Sequence, residues 1–379
     1  MLVQFSLTNF RNFKDTATLD LSEAKITEMK SHLYKCSDGL GVLPMAALYG
    51  PNGSGKTNYL KGLWKLRSLV LEAPHVSLKN CTFLFDEESK QAPTEFDVLF
   101  RILDREYEYQ LKITETQVVE ENLFGRDLSA GEFDVLFDRD SEGVYLCEAW
   151  ENTDVSTLTD EMPLLYFLGQ NQQEEELQSV IQFFEKMVYV SGDALEQEAL
   201  VEVLQSPELK EQLCSHLKNV GTSVADIQMD GDQIVVTHEK NKMVVAFAWE
   251  EESSGIQHMI CLLAELLTAR KEGKLVLADA PEVQLHPKSM KYLYQLAADT
   301  ASSTACAQFL TATHENSNMN NSVFRRDELW LVGPQQDGSS TLYVLALFLK
   351  ENGEKVRKDE TYFKQYLEGR YGADPVILR

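Results

Sequence analysis

The stretch MAALYGPNGSGKTN, residues 45–58, decides the fold. Its first five residues, 45–49, are apolar and favour a buried strand. Three glycines follow at positions 50, 53 and 55, and in the segment after them apolar residues recur at 60, 63, 66, 69 and 70. That spacing is typical of an amphipathic helix. The sequence therefore predicts a buried strand, a glycine-rich turn and a helix in direct succession.

The turn carries the pattern Gly50-x-x-x-x-Gly55-Lys56-Thr57, which between a strand and a helix predicts a phosphate-binding loop. Glycines let the backbone wrap closely and point its N–H groups at phosphate oxygens, and the helix adds its positive end. Lys56 would reach the β- and γ-phosphates of ATP, and the Thr57 hydroxyl would bind Mg²⁺. The predicted nucleotide-binding residues of this segment are Asn52, Gly53, Ser54, Gly55, Lys56, Thr57 and Asn58.

Two later segments carry further polar residues at the ends of apolar runs. The run 275–278 ends in Asp279, which predicts a second Mg²⁺ ligand at the end of a neighbouring buried strand. The run 307–314 reads as a strand that ends in His314. Earlier in the chain, the turn Ser253-Ser254-Gly255 precedes an apolar helical pattern. Such a turn is either another anion-binding helix start or a plain N-cap.

This ordered set of motifs resembles the ABC-type ATPase heads of the SMC, Rad50 and RecF group. It is more similar to the small prokaryotic AAA15/AAA21 ATP-binding proteins, which are ABC-like. The residues that carry the resemblance are FSLTNFRNF (5–13) for the first hairpin, YGPNGSGKTN (49–58) for Walker A, ESSGIQ (252–257) for the signature, AD (278–279) with LHP (285–287) for Walker B, TH (313–314) for the switch histidine, and RRDELW (325–330) and YLEGRYGADP (366–375) for the closing motifs.

The resemblance implies an α/β fold: an ABC-type P-loop NTPase head with an antiparallel β subdomain and a helical insertion. It implies a homodimer or higher homo-oligomer in which each ATP lies between the Walker A of one head and the signature of another. Arg11 and Asn12 would lie near the nucleotide. The signature residues that would contact it in trans are Ser253, Ser254, Gly255 and Gln257. Relatives often occur in anti-phage systems beside a nuclease or toxin, which implies a separate effector partner.

The residue after Asp279 is Ala280, where the family pattern has the glutamate that activates water. A methyl group cannot accept a proton, so a general-base contribution of about 10²–10⁴-fold is lost. We expect a chain that binds ATP, dimerises around it and hydrolyses it very slowly. Ala280 is either natural, in an ATP-gated clamp, or a substitution for glutamate, and the intact remaining motifs favour the substitution. Glu282 is a weaker candidate for a substitute base, because Pro281 fixes the local turn.

The rest of the chain predicts the organisation of the head. Alternation over 83–145 indicates antiparallel strands with turns at Asp104-Arg105 and at Gly125, and the periodicity over 160–220 is helical. We therefore divide the chain into an N-terminal half of the head (1–150), a mainly helical insertion (151–235) and a C-terminal half (236–379). No heptad repeat persists between the phosphate loop and the signature, so we expect no long coiled coil. The flanks of Gln91 leave open whether it is a further Mg²⁺ contact.

The amino-acid composition limits the kinds of partner that the chain is expected to bind. Lys and Arg number 35 against 60 Asp and Glu, a formal charge of −25. Because DNA binding depends on basic residues, this charge disfavours the alternative function, a RecF-like repair ATPase that clamps DNA. It favours a protein partner or simply keeps the chain in solution. No apolar run approaches the roughly 20 residues of a membrane span, and six cysteines without a CxxC pair fit a reduced cytoplasm. We predict a cytoplasmic ATPase switch or sensor in an anti-phage complex, controlling an effector.

Overall fold

The computed structural model describes residues 1–129, 131–194, 196–350 and 353–373. The strands are β1 (Leu2–Thr8), β2 (Ala17–Asp20), β3 (Tyr34–Lys35), β4 (Gly41–Val42), β5 (Met45–Tyr49), β6 (Thr94–Ile102), β7 (Arg105–Ile113), β8 (Val118–Asp127), β9 (Asp134–Arg139), β10 (Val144–Leu146), β11 (Met187–Ser191), β12 (Val224–Asp230), β13 (Gln233–Lys240), β14 (Met243–Ala248), β15 (Leu275–Asp279), β16 (Gln308–Ala312), β17 (Leu329–Pro334) and β18 (Ser340–Val344). The α-helices are α1 (Lys56–Glu72), α2 (Glu87–Gln91), α3 (Leu164–Asn171), α4 (Glu175–Glu185), α5 (Glu198–Gln205), α6 (Pro207–Asn219), α7 (Ser254–Glu272), α8 (Pro287–Ala298) and α9 (Tyr362–Leu367).

A mixed central sheet positions the site. Its strand order is β11-β15-β16-β5-β17-β18, with the first five strands parallel and β18 antiparallel to β17. Every residue of β5 and β16 is buried, as expected for strands that are covered on both faces. Because parallel strands end at the same edge of a sheet, the loops after β5, β15 and β16 meet there. These are the loops that carry the predicted phosphate-binding residues, Asp279 and His314.

Helix α1 joins this sheet to a second, antiparallel sheet of order β10-β9-β8-β7-β6-β1-β2. The helix contacts β15 and β16. Its Tyr59 ring packs edge-on against Phe5 and Phe13, at centroid distances of 5.5 and 5.6 Å. A Cβ added to Gly62 would lie 2.5 Å from the Leu7 side chain, so glycine at this position allows β1 to approach closely. The phosphate loop is thus anchored to both sheets through one helix.

Most predictions about local structure are confirmed. The structure contains the predicted strand–turn–helix around the phosphate loop, the strand ending at Asp279 and the turn at Asp104 between β6 and β7. The turn predicted at Gly125 is wrong, because Gly125 lies within β8 and pairs with Tyr107. A Cβ there would lie 3.0 Å from the Leu136 side chain. The glycine therefore serves close side-chain packing, which the sequence does not distinguish from a turn.

The helical pattern expected over 160–220 is interrupted by a strand. Four helices, α3 to α6, form in this range, but β11 lies between them and pairs in parallel with β15. Its sequence, MVYVS, is β-branched and aromatic, which suits a strand at the edge of a sheet. Pairing with a strand far along the chain thus overrides the helical periodicity. The division of the chain at residues 150 and 235 stays a prediction.

A small antiparallel sheet, β12-β13-β14, leads into α7, the helix that begins in the signature segment. A short 3₁₀ turn at Trp249–Glu251 separates β14 from α7. With 19 residues, α7 is the longest helix in the described ranges, so these ranges hold no coiled-coil arm. None of the described helices has both the length and the apolar character to cross a membrane.

Candidate nucleotide-binding site

The phosphate loop, residues 50–55, has a conformation that requires glycine. Gly55 adopts φ 104°, and a Cβ there would lie 1.8 Å from Asn12 Nδ2. A Cβ on Gly50 would lie 2.4 Å from the Val332 carbonyl oxygen. No side chain fits at either position. Ser54 is buried, whereas Asn52 and Gly53 are exposed, so the loop presents its tip to solvent.

Lys56 folds back onto this loop. Its Nζ donates hydrogen bonds to the carbonyl oxygens of Gly50, at 2.7 Å, and Pro51, at 3.0 Å. The side chain is buried, and burial lowers the pKa of Lys56 to about 8, against the opposing charges of Glu282 and Asp279. Charge-assisted bonds to phosphate are stronger than those to neutral carbonyls. Lys56 is therefore placed to exchange its carbonyl partners for phosphate oxygens.

The predicted metal ligands meet at the base of the loop. The Thr57 hydroxyl donates to Asp279 Oδ1 at 2.8 Å, and the Tyr189 hydroxyl donates to Asp279 Oδ2 at 3.0 Å. Burial, and then the Asp279 charge, raise the pKa of Tyr189. Mg²⁺ prefers one or two protein oxygens and keeps waters and phosphates for the remaining positions. Thr57 and Asp279 are oxygen donors of the kind that Mg²⁺ takes from a P-loop, so this pair fits the metal.

Tyr189 was missed by the sequence analysis, because β11 was expected to be helical. The apolar run MVYV that carries it was the available signal. Its ring also packs against Trp64 of α1, at a centroid distance of 5.8 Å. Tyr189 thus connects the edge strand, the P-loop helix and Asp279.

Arg11 and Asn12 lie beside the phosphate loop. Arg11 Nη1 donates to Asn58 Oδ1 at 2.9 Å, and Asn58 Nδ2 donates to Asn12 Oδ1 at 2.7 Å. Asn12 Nδ2 in turn donates to the Ser54 carbonyl, at 2.9 Å, and to Ser340 Oγ, at 2.8 Å. These bonds fix the side chains around the loop. Ser340 was not anticipated, and only the fold brings it here.

The loops after β15 and β16 bring Ala280, Glu282 and His314 to the same edge. Ala280 has φ 53°, and its N–H donates to the Ala312 carbonyl at 2.8 Å. The His314 N–H donates to Glu282 Oε1 at 2.6 Å. Burial and the Lys56 charge lower the pKa of His314, opposed by Glu282 and Asp279. His314 therefore shares one electrostatic environment with Lys56 and the carboxylates.

The signature segment, residues 252–257, begins α7 beside the loop after Asp279. A Cβ on Gly255 would lie 3.1 Å from the Gln284 carbonyl oxygen, and His258 Nε2 lies 2.9 Å from the Pro281 oxygen. Gln257 Nε2 donates to the Trp249 carbonyl. Ser253 and Ser254 are exposed, and within the described ranges neither hydroxyl has a hydrogen bond to the phosphate loop of its own chain.

Glu252 is held in place by residues that the sequence analysis did not identify. His238 Nε2 lies 2.5 Å from Glu252 Oε2, and His238 Nδ1 lies 2.8 Å from Ser223 Oγ. Glu252 Oε1 accepts the N–H of Ser253 at 2.7 Å. The conformation of the signature segment therefore depends on the small β12-β13-β14 sheet.

The remaining motif residues are spread over other parts of the fold. Gln91 is exposed at the end of α2, and no contact joins it to Thr57 or Asp279 in the described part of the chain. In RRDELW, buried Arg325 forms a two-pronged pair with Asp327, at 2.9 and 2.7 Å, so this motif is a structural cluster. Of YLEGRYGADP, residues 374 and 375 lie outside the described residues.

Comparisons with known proteins complete this description. Similar solved structures include an SMC head domain from Thermotoga maritima, with TM-score 0.47 and 13% identity over 90% of this chain and 98% of that chain. Another is an Smc head domain with an extended coiled coil bound to the C-terminal domain of ScpA, derived from Pyrococcus furiosus, with TM-score 0.44 and 11% identity over 90% of this chain and 96% of that chain. No curated protein sequence matches.

One family does match, over residues 45–319, and its description is "AAA domain, putative AbiEii toxin, Type IV TA system". The matched span runs from β5 through the phosphate loop, the signature segment and Asp279 to the residues after His314. The chain therefore belongs to this AAA21 family of ABC-like ATP-binding proteins.

Proposed function

We propose that the chain is a Mg²⁺-dependent ATPase that acts as a nucleotide-dependent dimerising switch or sensor. It works in the cytoplasm as part of a bacterial anti-phage defence complex, and it controls a separate effector, a nuclease or a toxin. The AAA21 family description, with its toxin–antitoxin system, supports this setting. The formal charge of −25 favours a partner with a basic surface.

One observation carries the proposal. Lys56, Thr57 and Asp279 converge at one edge of the sheet, whereas Ser253 and Ser254 are exposed at the start of α7 and do not bond to that loop. Each chain thus offers two complementary parts of an ATP site. In a two-fold dimer, the signature segment of each copy would cover the nucleotide of the other. ATP would then be both the ligand and the contact between subunits.

The chemistry at position 280 sets the rate. The Ala280 side chain is a methyl group and cannot act as a general base. The rate of ATP hydrolysis therefore lacks a general-base contribution of about 10²–10⁴-fold from this position. The phosphate and Mg²⁺ contacts do not depend on it. We therefore propose that this chain stays loaded with ATP as a dimer, and that Ala280→Glu restores turnover.

The test measures ATP binding, ATP turnover and oligomer mass with ATP, with ADP and without nucleotide. The unsubstituted chain is expected to dimerise only with ATP, and Lys56→Ala to lose ATP binding. Ser254→Arg should bind ATP yet remain monomeric, because the arginine blocks the signature segment. Ser141→Arg, at an exposed serine on another surface, is the matched control and should dimerise normally. An unsubstituted chain that binds ATP and stays monomeric would overturn the switch proposal.

A further inference from the structure

We propose that Glu282 supplies the carboxylate that the site lacks at position 280. One of its oxygens positions the His314 loop, and the other accepts the proton of the water that attacks ATP. This inference rests on the proposed ATPase function. It identifies the residue that provides the turnover remaining when position 280 is alanine.

The two oxygens of Glu282 have different environments. Oε1 accepts the His314 N–H at 2.6 Å. Oε2 is buried and has no hydrogen-bond partner among the described residues. The turn that holds it is tight, since Leu285 N–H donates to the Glu282 carbonyl at 2.9 Å. Leaving a buried acceptor unpaired is costly, so a water molecule that donates to Oε2 would be stabilised there.

The other carboxylates of this region are already occupied. Asp279 accepts bonds on both oxygens, from Thr57 and Tyr189. Glu315 accepts the N–H of Ser317 on one oxygen and the N–H and side-chain amide of Asn318 on the other. Among the described residues of these loops, Glu282 is thus the carboxylate with a free oxygen.

Glu282 also shares an electrostatic environment with the phosphate-binding residue Lys56. Burial lowers the pKa of Lys56, and two negative charges oppose this effect. The charge of Glu282 raises the pKa of Lys56 more than the charge of Asp279 does. It raises the pKa of His314 as well. Both carboxylates therefore act on the ammonium group that would hold the γ-phosphate. A proton acceptor in this shared electrostatic environment is what a water beside that phosphate would require.

A second buried oxygen, the hydroxyl of Tyr49, also has no hydrogen-bond partner among the described residues. Burial, and then neighbouring charges that include Glu282, raise the pKa of Tyr49. Buried polar groups that protein atoms leave unpaired are commonly satisfied by ordered water. A water molecule that donates to Glu282 Oε2 would satisfy the first of these two groups.

In this step, water attacks the terminal phosphate of ATP. The water oxygen forms a bond to the γ-phosphorus, and the bond from the γ-phosphorus to the bridging oxygen of the β-phosphate breaks. ADP keeps that electron pair, and the water proton passes to Glu282 Oε2. Glu282 then returns the proton to phosphate or solvent, and the products are ADP and inorganic phosphate.

A double-mutant cycle tests the assignment. Turnover is measured for the unsubstituted chain, E282Q, A280E and A280E/E282Q. Glutamine keeps an oxygen for the His314 N–H but cannot accept a proton. We expect E282Q to lower kcat at least tenfold when position 280 is alanine, because no base remains. In the A280E background E282Q should change kcat less than about threefold, since the introduced carboxylate accepts the proton. E315Q is the matched control and should act equally in both backgrounds.

Three results would overturn the inference. In the first, E282Q leaves the turnover of the unsubstituted chain unchanged. In the second, E282Q lowers kcat equally in both backgrounds, which indicates a purely structural role. In the third, the unsubstituted chain turns over ATP no faster than Lys56→Ala. ATP binding and ATP-dependent dimer mass are recorded for every variant. Loss of dimerisation in the unsubstituted chain contradicts the proposed function, whereas intact dimers with background-independent turnover contradict the role of Glu282 alone.

Discussion

At the scale of single residues, Asp279 is the most constrained group in the site. Thr57 and Tyr189 each donate a hydroxyl to one of its oxygens, so its orientation is fixed before a metal arrives. Mg²⁺ would take one of these oxygens together with Thr57. Tyr189 would not contact the metal itself but would hold the Asp279 carboxylate in place. Residues with this role strongly affect metal affinity in other proteins.

Tyr189→Phe should therefore weaken metal binding without unfolding the chain. We expect the Mg²⁺ concentration that gives half-maximal ATP binding to rise about tenfold, since the loss of such supporting bonds typically costs 10–100-fold. The measurement is a Mg²⁺ titration of ATP binding. Tyr145→Phe, at an exposed tyrosine, is the control. An unchanged titration for Tyr189→Phe would show that Thr57 alone orients Asp279.

Two glycines of the phosphate loop should respond differently to alanine. A Cβ at Gly55 would collide with Asn12, whereas nothing lies within 4 Å of one at Gly53, although both have positive φ. Gly53→Ala carries only the backbone cost of about 1–2 kcal/mol. Gly55→Ala should lower the free energy of unfolding further and abolish ATP binding. Urea unfolding and ATP titration of the two variants check this, and equal effects would contradict the close approach of Asn12.

At the scale of secondary-structure elements, β6 carries a half-buried carboxylate, Asp97, that is not part of the candidate site. Burial, and then the neighbouring charge of Glu108, raise the pKa of Asp97 to about 6. Its main polar contact is Gln110 Nε2, at 3.2 Å. A carboxyl whose pKa is higher in the folded state favours folding at low pH, and this contribution is lost as the pH rises through about 6.

Asp97→Asn should accordingly stabilise the protein at pH 7.5 and have little effect near pH 4. A shift of about two units corresponds to at most roughly 3 kcal/mol, and partial solvent exposure reduces the expected gain to about 1 kcal/mol. The free energy of unfolding at the two pH values is the measurement. Asp134→Asn, on an exposed position of β9, serves as control. A stabilisation of equal size at both pH values would contradict the assignment to this carboxyl.

The elements also show what the sequence could and could not predict. The phosphate loop and its flanking strand and helix were predictable, because their pattern is local and glycine is required sterically. The strand before Asp279 was recognisable for the same reason. By contrast, β11 continues an apolar helical pattern, and only its pairing with β15 makes it a strand. Tyr189 lies on β11, so its role could not be predicted either. The hydrogen bond between the His314 N–H and Glu282 depends on two loops that are adjacent only in the fold.

At the scale of the whole molecule, the net charge bears on the proposed assembly. Each chain carries −25, so two chains repel each other at low ionic strength. Salt screens this repulsion over about 10 Å at 0.1 M. A dimer held by ATP and by short-range contacts at the signature segment should therefore gain stability as salt is added.

We expect the ATP-bound dimer to tighten about two- to tenfold between roughly 50 and 300 mM NaCl, as long-range repulsion between exposed charges is screened. Dimer mass against protein concentration, at saturating ATP, measures this. Monomeric Ser254→Arg gives the separate effect of salt on ATP binding. A dimer that weakens with salt would instead indicate that ion pairs across the interface dominate.

The order of the central sheet has a consequence for biosynthesis. β5, which the phosphate loop follows, lies between β16 and β17, and these strands are translated about 260 and about 280 residues later. Such distant pairings form slowly and expose apolar strands in the meantime. A ribosome that has made the first half of this chain has therefore made β5 without either of its neighbouring strands. We expect such incomplete products to need shielding from aggregation until β16 and β17 emerge.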